Sequence, residues 1–180
     1  MESLDEPVSP VVRRLDARIA DWMAEQGPTL LRVALGLIFF WFGFLKFFPG
    51  LSTAETLAAR TIETLTLGHM KPATSLPMLA AWECAIGLGL LTGKLMRVTL
   101  FLLFAQMVGT FLPLVFFPAQ TWQYPLVPTL EGQYIIKNVV LVSAGILLGA
   151  TVRGGKVIAD PKAARIAEQV REKQKMRGEQ

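Results

Sequence analysis

The sequence is poor in the residues that bind metals or carry electrons. It has one cysteine, Cys84, and one histidine, His69. A lone cysteine excludes an internal disulfide and any multi-cysteine metal site. A lone histidine excludes most histidine-based metal and triad designs. Haem ligand pairs, cysteine clusters and nucleotide fingerprints are missing as well, so any electron carrier has to be bound or supplied. Charge is scarce where a soluble protein would need it: most of the Lys, Arg, Asp and Glu lie in Met1–Gln26 and Arg153–Gln180.

Between those charged ends the chain is oily. Hydrophobic residues make up 52% of the 180, and the mean hydropathy is +0.44. A soluble fold of this size cannot bury such a middle, whereas a bilayer can. Four windows are long enough for a helix to cross a hydrocarbon core of ~30 Å: Leu30–Phe48, Leu76–Thr92, Val98–Phe117 and Tyr134–Thr151. The predicted fold class is therefore all-α, an integral membrane four-helix bundle. Residues 1–28 form a cytoplasmic amphipathic segment, 29–152 the four-span domain and 153–180 a basic cytoplasmic tail.

Lys and Arg counts set the orientation. With both termini inside, the cytoplasmic segments carry Arg13, Arg14, Arg18, Lys94, Arg97 and eight more after Thr151, against Arg60 and Lys71 in the two outer loops. The net charge of +4 is thus a topology signal, and no nucleic-acid partner is expected. The polar start rules against a cleavable leader, with the first span staying as an anchor. A bacterial inner membrane is the expected location.

The flanks carry smaller elements. Val11, Val12, Leu15, Ile19, Trp22 and Met23 recur at helical spacing, predicting an interfacial helix that Gly27-Pro28 breaks. In the first outer loop Ser52 and Glu55 form a capping-box pattern, Ala58, Ile62 and Leu65 an apolar stripe, and Gly68 a stop. The second outer loop, Pro118–Gly132, reads as ordered but non-helical. Asp160-Pro161 starts a helix in the tail, whose basic residues suit anionic head groups or plain solvent.

Ionisable groups inside a membrane cost on the order of 2.5–3.5 kcal/mol at a helix centre and are functional candidates by default. Glu83 lies mid-way along the second span. Lys46 sits near the outer end of the first, and Lys137 with Asn138 near the outer end of the fourth. Either lysine can reach Glu83 by bending inward, and two cations over one carboxylate would suit a quinone oxygen, an anion or a polar head group. The alternative is that both lysines snorkel to the interface. Arg32, Gly36, Gly43 and Lys46 share one stripe, where glycine lets a helix or a flat ring approach the backbone. Ala81, Ala85, Gly89 and Gly93 form a small-residue row that predicts helix packing. Gln106, Gly109, Thr110 and Pro113 predict a kink, with the Thr110 hydroxyl available to freed groups. Cys84 reads as an apolar filler, and His69 as a loop residue.

Several of these stretches resemble a known family. Arg32 through Phe39, Gly43, Lys46-Phe47 and Pro49 resemble the opening motif of DoxX-like membrane proteins. Trp82-Glu83, Gly87, Gly89, Leu90-Leu91-Thr92-Gly93 and Arg97 are similar to that group's acid, glycine-rich run and basic turn. Gly109-Thr110-Phe111-Leu112, Pro118 and Glu131 through Asn138 resemble its YkgB-type branch, although Asn138 stands where that branch tends to have an acid. The resemblance implies a four-helix membrane fold. It also implies links to thiosulfate–quinone oxidoreduction, oxidative or reactive-chlorine stress, and soluble redox enzymes.

The expectation is a quinone- or lipid-facing subunit of a membrane redox or stress-defence system, working with a soluble or membrane redox partner and able to oligomerise. Glu83 would accept or donate a proton, Lys46 and Lys137 would hold an electronegative group, and a quinone is the candidate cofactor. The rival readings are a non-enzymatic scaffold or assembly factor, and a small carrier for an anion or amphiphile.

Overall fold

The structure is a computed structural model that describes residues 9–52 and 54–178. It is almost wholly helical. Helix α1 runs Pro10–Leu45, α2 Glu55–Leu65, α3 Pro72–Thr92, α4 Met96–Phe111, α5 Pro113–Phe116 and α6 Pro118–Thr121. A small hairpin of β1 (Trp122–Tyr124) and β2 (Val127–Pro128) precedes α7 (Leu130–Ile136), α8 (Asn138–Thr151) and α9 (Pro161–Gly178). Four stretches are long and apolar enough to cross a membrane: Val11–Leu45, Pro72–Thr92, Met96–Phe116 and Leu130–Thr151.

Contacts divide the described chain into two units, Leu31–Arg153 and the residues flanking it. The larger unit holds the bundle. Its core is formed by Leu35 and Phe39 of α1, Ile86 and Leu90 of α3, Leu100, Leu103 and Met107 of α4, and Ala144 and Leu148 of α8. Outside that core the helices stay oily: Trp41, Phe42, Phe101, Val108, Val140 and Ile146 are all exposed. Soluble monomers do not present apolar surface on this scale. Lipid is the solvent that fits it.

Glycines let α1 and α3 pack backbone to backbone. A Cβ on Gly43 would stand 2.7 Å from Glu83 Cβ and 2.9 Å from Cys84 N, and one on Gly36 would stand 2.9 Å from Leu91 N. The row Ala81, Ala85, Gly89, Gly93 does not serve as predicted. Ala81 and Ala85 are exposed, while Gly89 packs against Thr99 of α4 and Gly93 against the Arg32 side chain of α1. Gly93 also ends α3 in the left-handed conformation, φ 68°.

Other boundaries also depart from expectation. Gly27-Pro28 does not break the first helix, because α1 continues through Pro28. Pro28 removes a single backbone donor, and the helical residues on both sides hold the register. The capping box at Ser52 does not form. The Glu55 carboxylate accepts from the Gly50 N–H at 2.8 Å instead, and among the described residues no side chain caps α2. The α2 stop is shared by Leu67 and Gly68, both at positive φ, with the Gly68 N–H on Glu63 O at 2.8 Å. At Pro113 the helix is interrupted but not redirected in backbone conformation: α4 ends at Phe111, α5 starts at Pro113, and Leu112 between them keeps helical dihedrals. The Thr110 hydroxyl donates to Gln106 O at 3.0 Å, whereas Gly109 O, which the proline frees, accepts from Leu112 N at 3.3 Å.

The second connecting loop is ordered, as its aromatics and prolines predict, but it contains the one-turn helix α6 and the hairpin rather than no helix. Trp122 pins it through an Nε1–H bond to Leu114 O at 3.1 Å. Thr129 caps α7, accepting from Gly132 N at 3.1 Å and donating to Gln120 O at 2.6 Å. Losing that cap in Thr129→Ala is expected to cost about 1 kcal/mol, read as a lower unfolding midpoint in detergent.

In the flanking unit, Val11, Val12, Leu15, Ile19, Trp22 and Met23 form the expected apolar stripe, and all six are exposed. Asp160 caps α9 as predicted, accepting from Lys162 N at 2.8 Å.

Candidate functional site

Lys46 is the first residue beyond α1, where the backbone tightens into i to i−3 bonds, Lys46 N to Gly43 O at 3.1 Å. From there its side chain bends back along the bundle. Its Nζ reaches Glu83 Oε2 at 2.6 Å, the one salt bridge among the described residues, and both side chains are buried. The other carboxylate oxygen, Oε1, accepts from Gln106 Nε2 of α4 at 3.1 Å. Each oxygen of Glu83 thus has its own donor. The ammonium keeps a second, longer bond to Phe42 O at 3.4 Å.

Three spans meet in this cluster, which explains how an acid can persist at mid-span. A carboxylate in hydrocarbon must be neutralised by neighbours, and here one cation and one amide do it.

The cluster lines a cavity of about 390 Å³. Leu57, Ala58, Ile62 and Leu65 of α2 close one side, and Met78, Leu79 and Trp82 of α3 another. Gln106, Gly109 and Thr110 of α4 with Pro113 complete the wall. The apolar stripe of α2 therefore faces the cavity. Arg60, on the same helix, lies over the Phe117 ring with its Cζ 5.0 Å from the centroid, which ties α2 to the following loop. Trp82 is held by an Nε1–H bond to Leu102 O at 3.2 Å. The result is an oily chamber with an ion pair in its wall.

The remaining candidates lie elsewhere. Lys137 does not join the cluster. It stands at the junction of α7 and α8, with Nζ 4.9 Å from the Tyr134 ring centroid. Its neighbour Asn138 donates to Tyr134 O at 3.1 Å, a bond across the same junction. Arg32 binds the last turn of α3, donating to Leu90 O and, at 3.1 Å, to Leu91 O. Helix ends leave such carbonyls without partners, so Arg32 acts as a cap from a neighbouring helix. Gly43 leaves no room for a flat ring, since Glu83 and Cys84 fill that space. The open volume lies between α2, α3 and α4 instead. Gln106 belongs to the site, although its place ahead of Pro113 predicts only a part in the kink. A lone amide in the one uncharged span needs a partner for the same reason an acid does.

The DoxX family model matches residues 27–117. That is just over half of the chain, from within α1 to the residue before α6.

The chain belongs to the DoxX family.

The DoxX stretch contains Lys46, Glu83 and Gln106 together with α2, so the whole cluster and nearly all of the cavity lie inside it. The hairpin, α7 and α8 lie beyond it. No curated protein and no solved structure matches the chain.

Proposed function

We propose that this DoxX-family protein is a quinone- or lipid-facing subunit of a membrane redox or oxidative-stress system, binding the polar end of an amphiphile at Lys46, Glu83 and Gln106. The observation that carries this reading is the pairing of a buried ion pair with an apolar chamber of about 390 Å³. Ligand sites are typically apolar pockets with a few convergent polar groups. An ion pair kept only for packing would need no open volume beside it.

Within this reading Lys46 holds an electronegative oxygen, and Glu83 exchanges a proton with the bound group. Gln106 orients the carboxylate. Electrons come from a soluble or membrane redox partner, since a chain with one cysteine and one histidine has few side chains to hold an electron carrier of its own. The Lys and Arg asymmetry supports a bacterial inner-membrane protein with both termini in the cytoplasm. The cavity, roofed by α2, then opens in the outer half of the bilayer.

The test is the inventory of small molecules retained by the chain after mild purification. The wild type should carry a quinone or lipid, and a Lys46→Met/Glu83→Leu double variant should lose about tenfold in occupancy, or ~1.4 kcal/mol of binding. The double variant avoids leaving one buried charge alone. Equal occupancy in the two proteins would rule this reading out, and so would an empty wild type.

A further inference from the structure

A side-chain amide carries both a donor and an acceptor, and the geometry at Gln106 fixes which of them is spent. A carboxylate can only accept, so the amide turns its Nε2 toward Glu83 and donates to Oε1 at 3.1 Å. The nitrogen and oxygen of an amide are told apart by such partners. Gln106 Oε1 is therefore turned away from the carboxylate and needs a donor of its own. Among the described residues it has none, because the bond to Glu83 is the one hydrogen bond this side chain makes.

That oxygen is also reachable. Gln106 is half-buried, and the one sealed side-chain polar atom without a partner among the described residues is Ser75 Oγ. Gln106 Oε1 lacks a partner and is not sealed, so it keeps accessible surface. Gln106 lines the cavity together with Gly109 and Thr110, one turn further along α4. A Cβ at Gly109 would meet nothing within 4 Å. There is room for a ligand atom beside the amide.

The donor that completes this acceptor has to be neutral. An ammonium group would come in beside the Lys46 ammonium, and Glu83 is already paired with Lys46 at 2.6 Å. A second cation would then lack a counter-charge in an oily site. A ketone, ester or ether oxygen has no hydrogen to give. A hydroxyl meets both conditions, since it donates to Gln106 and still offers lone pairs to Lys46.

We infer that the cavity takes an uncharged amphiphile whose polar group is a hydroxyl donating to Gln106 Oε1, in preference to the matching carbonyl or ether. This rests on the cavity being a ligand site, as proposed above, and names the head group. Of a quinone and its quinol, the quinol is the form that fits.

The purified full chain in a fixed detergent can be titrated with 4-hexylphenol and with its methyl ether, 4-hexylanisole, correcting both for partition into the micelle. The two share a ring and a tail, and only the phenol can donate. The wild type should bind the phenol about fivefold more tightly, the scale of one net hydrogen bond. Gln106→Leu should erase that preference, and a preference that survives the substitution would overturn the inference. With carbon-13 in the glutamine side-chain carbonyls, infrared difference spectra of the wild type give a reading that does not depend on how the variant folds. Bound phenol should lower one carbonyl stretch and bound ether should not. An unshifted carbonyl with phenol bound would overturn the inference, as would a wild type that binds the two equally. Loss of both ligands in Lys46→Met/Glu83→Leu would then leave the site at the cluster standing. Binding of neither to the wild type would remove both readings.

Discussion

Lys46→Met alone is expected to destabilise the bundle by about 3–5 kcal/mol, the cost of leaving one member of a buried ion pair without its partner. Glu83 lies where three spans meet, with Lys46 Nζ at 2.6 Å and Gln106 Nε2 at 3.1 Å, and the amide alone cannot balance a full charge. Glu83→Leu should be costly for the complementary reason, because the Lys46 ammonium stays buried. Replacing both residues removes both charges, and apolar replacements of buried pairs are often neutral or better. The Lys46→Met/Glu83→Leu protein should therefore be more stable than either single variant. Equilibrium unfolding of the four proteins in detergent measures this coupling as a double-mutant cycle. Additive effects would mean that the two side chains act independently.

The second large effect is steric. Gly43→Leu should destabilise by several kcal/mol, above the ~1–3 kcal/mol typical of an overpacked core. The reason is that the new Cβ would meet the Glu83 Cβ at 2.7 Å and the backbone nitrogen of Cys84 at 2.9 Å. A backbone cannot step aside as a flexible side-chain tip can. Displacing α3 there would also move Glu83 away from Lys46, so the stability loss should come with loss of any bound amphiphile. Gly109→Ala is the matched control. Nothing lies within 4 Å of a Cβ at Gly109, and alanine is favoured over glycine in a helix by about 1 kcal/mol. It should be neutral or stabilising. Thermal unfolding of the two variants side by side reads the contrast.

How far the sequence reveals this molecule depends on the kind of signal. The spans are legible because a run of about twenty oily residues is the length a bilayer demands and a soluble core rarely supplies. Glu83 and Lys46 stand out because charge in oil is costly. Which lysine meets the acid is not legible. Helices α3, α4 and α8 are apolar on every side, so hydropathy does not fix their rotation, and Lys137 and Lys46 look equivalent until the helices are packed. Ser75 is hidden for a different reason. Its burial without a hydrogen-bond partner depends on how its neighbours pack, which no residue pattern encodes. Gly27-Pro28 misleads because a proline inside a long helix can be tolerated. The same dipeptide would end a helix where the chain had somewhere else to go.

The chamber itself combines elements of both kinds. The apolar stripe of α2 can be read from Ala58, Ile62 and Leu65, but not the surface it covers. That surface is the face of α3 carrying Met78, Leu79 and Trp82. A loop helix with one oily face needs a partner face, and here part of that face borders open volume.

The most direct test is an experimental structure of the full chain grown from native lipid. It should show Lys46 Nζ on Glu83, Gln106 on the other carboxylate oxygen, and ligand density filling the space between α2 and α3. A Lys46 turned away to the head groups, with Glu83 bound elsewhere and side chains packed solidly beneath α2, would contradict the proposed site at its base.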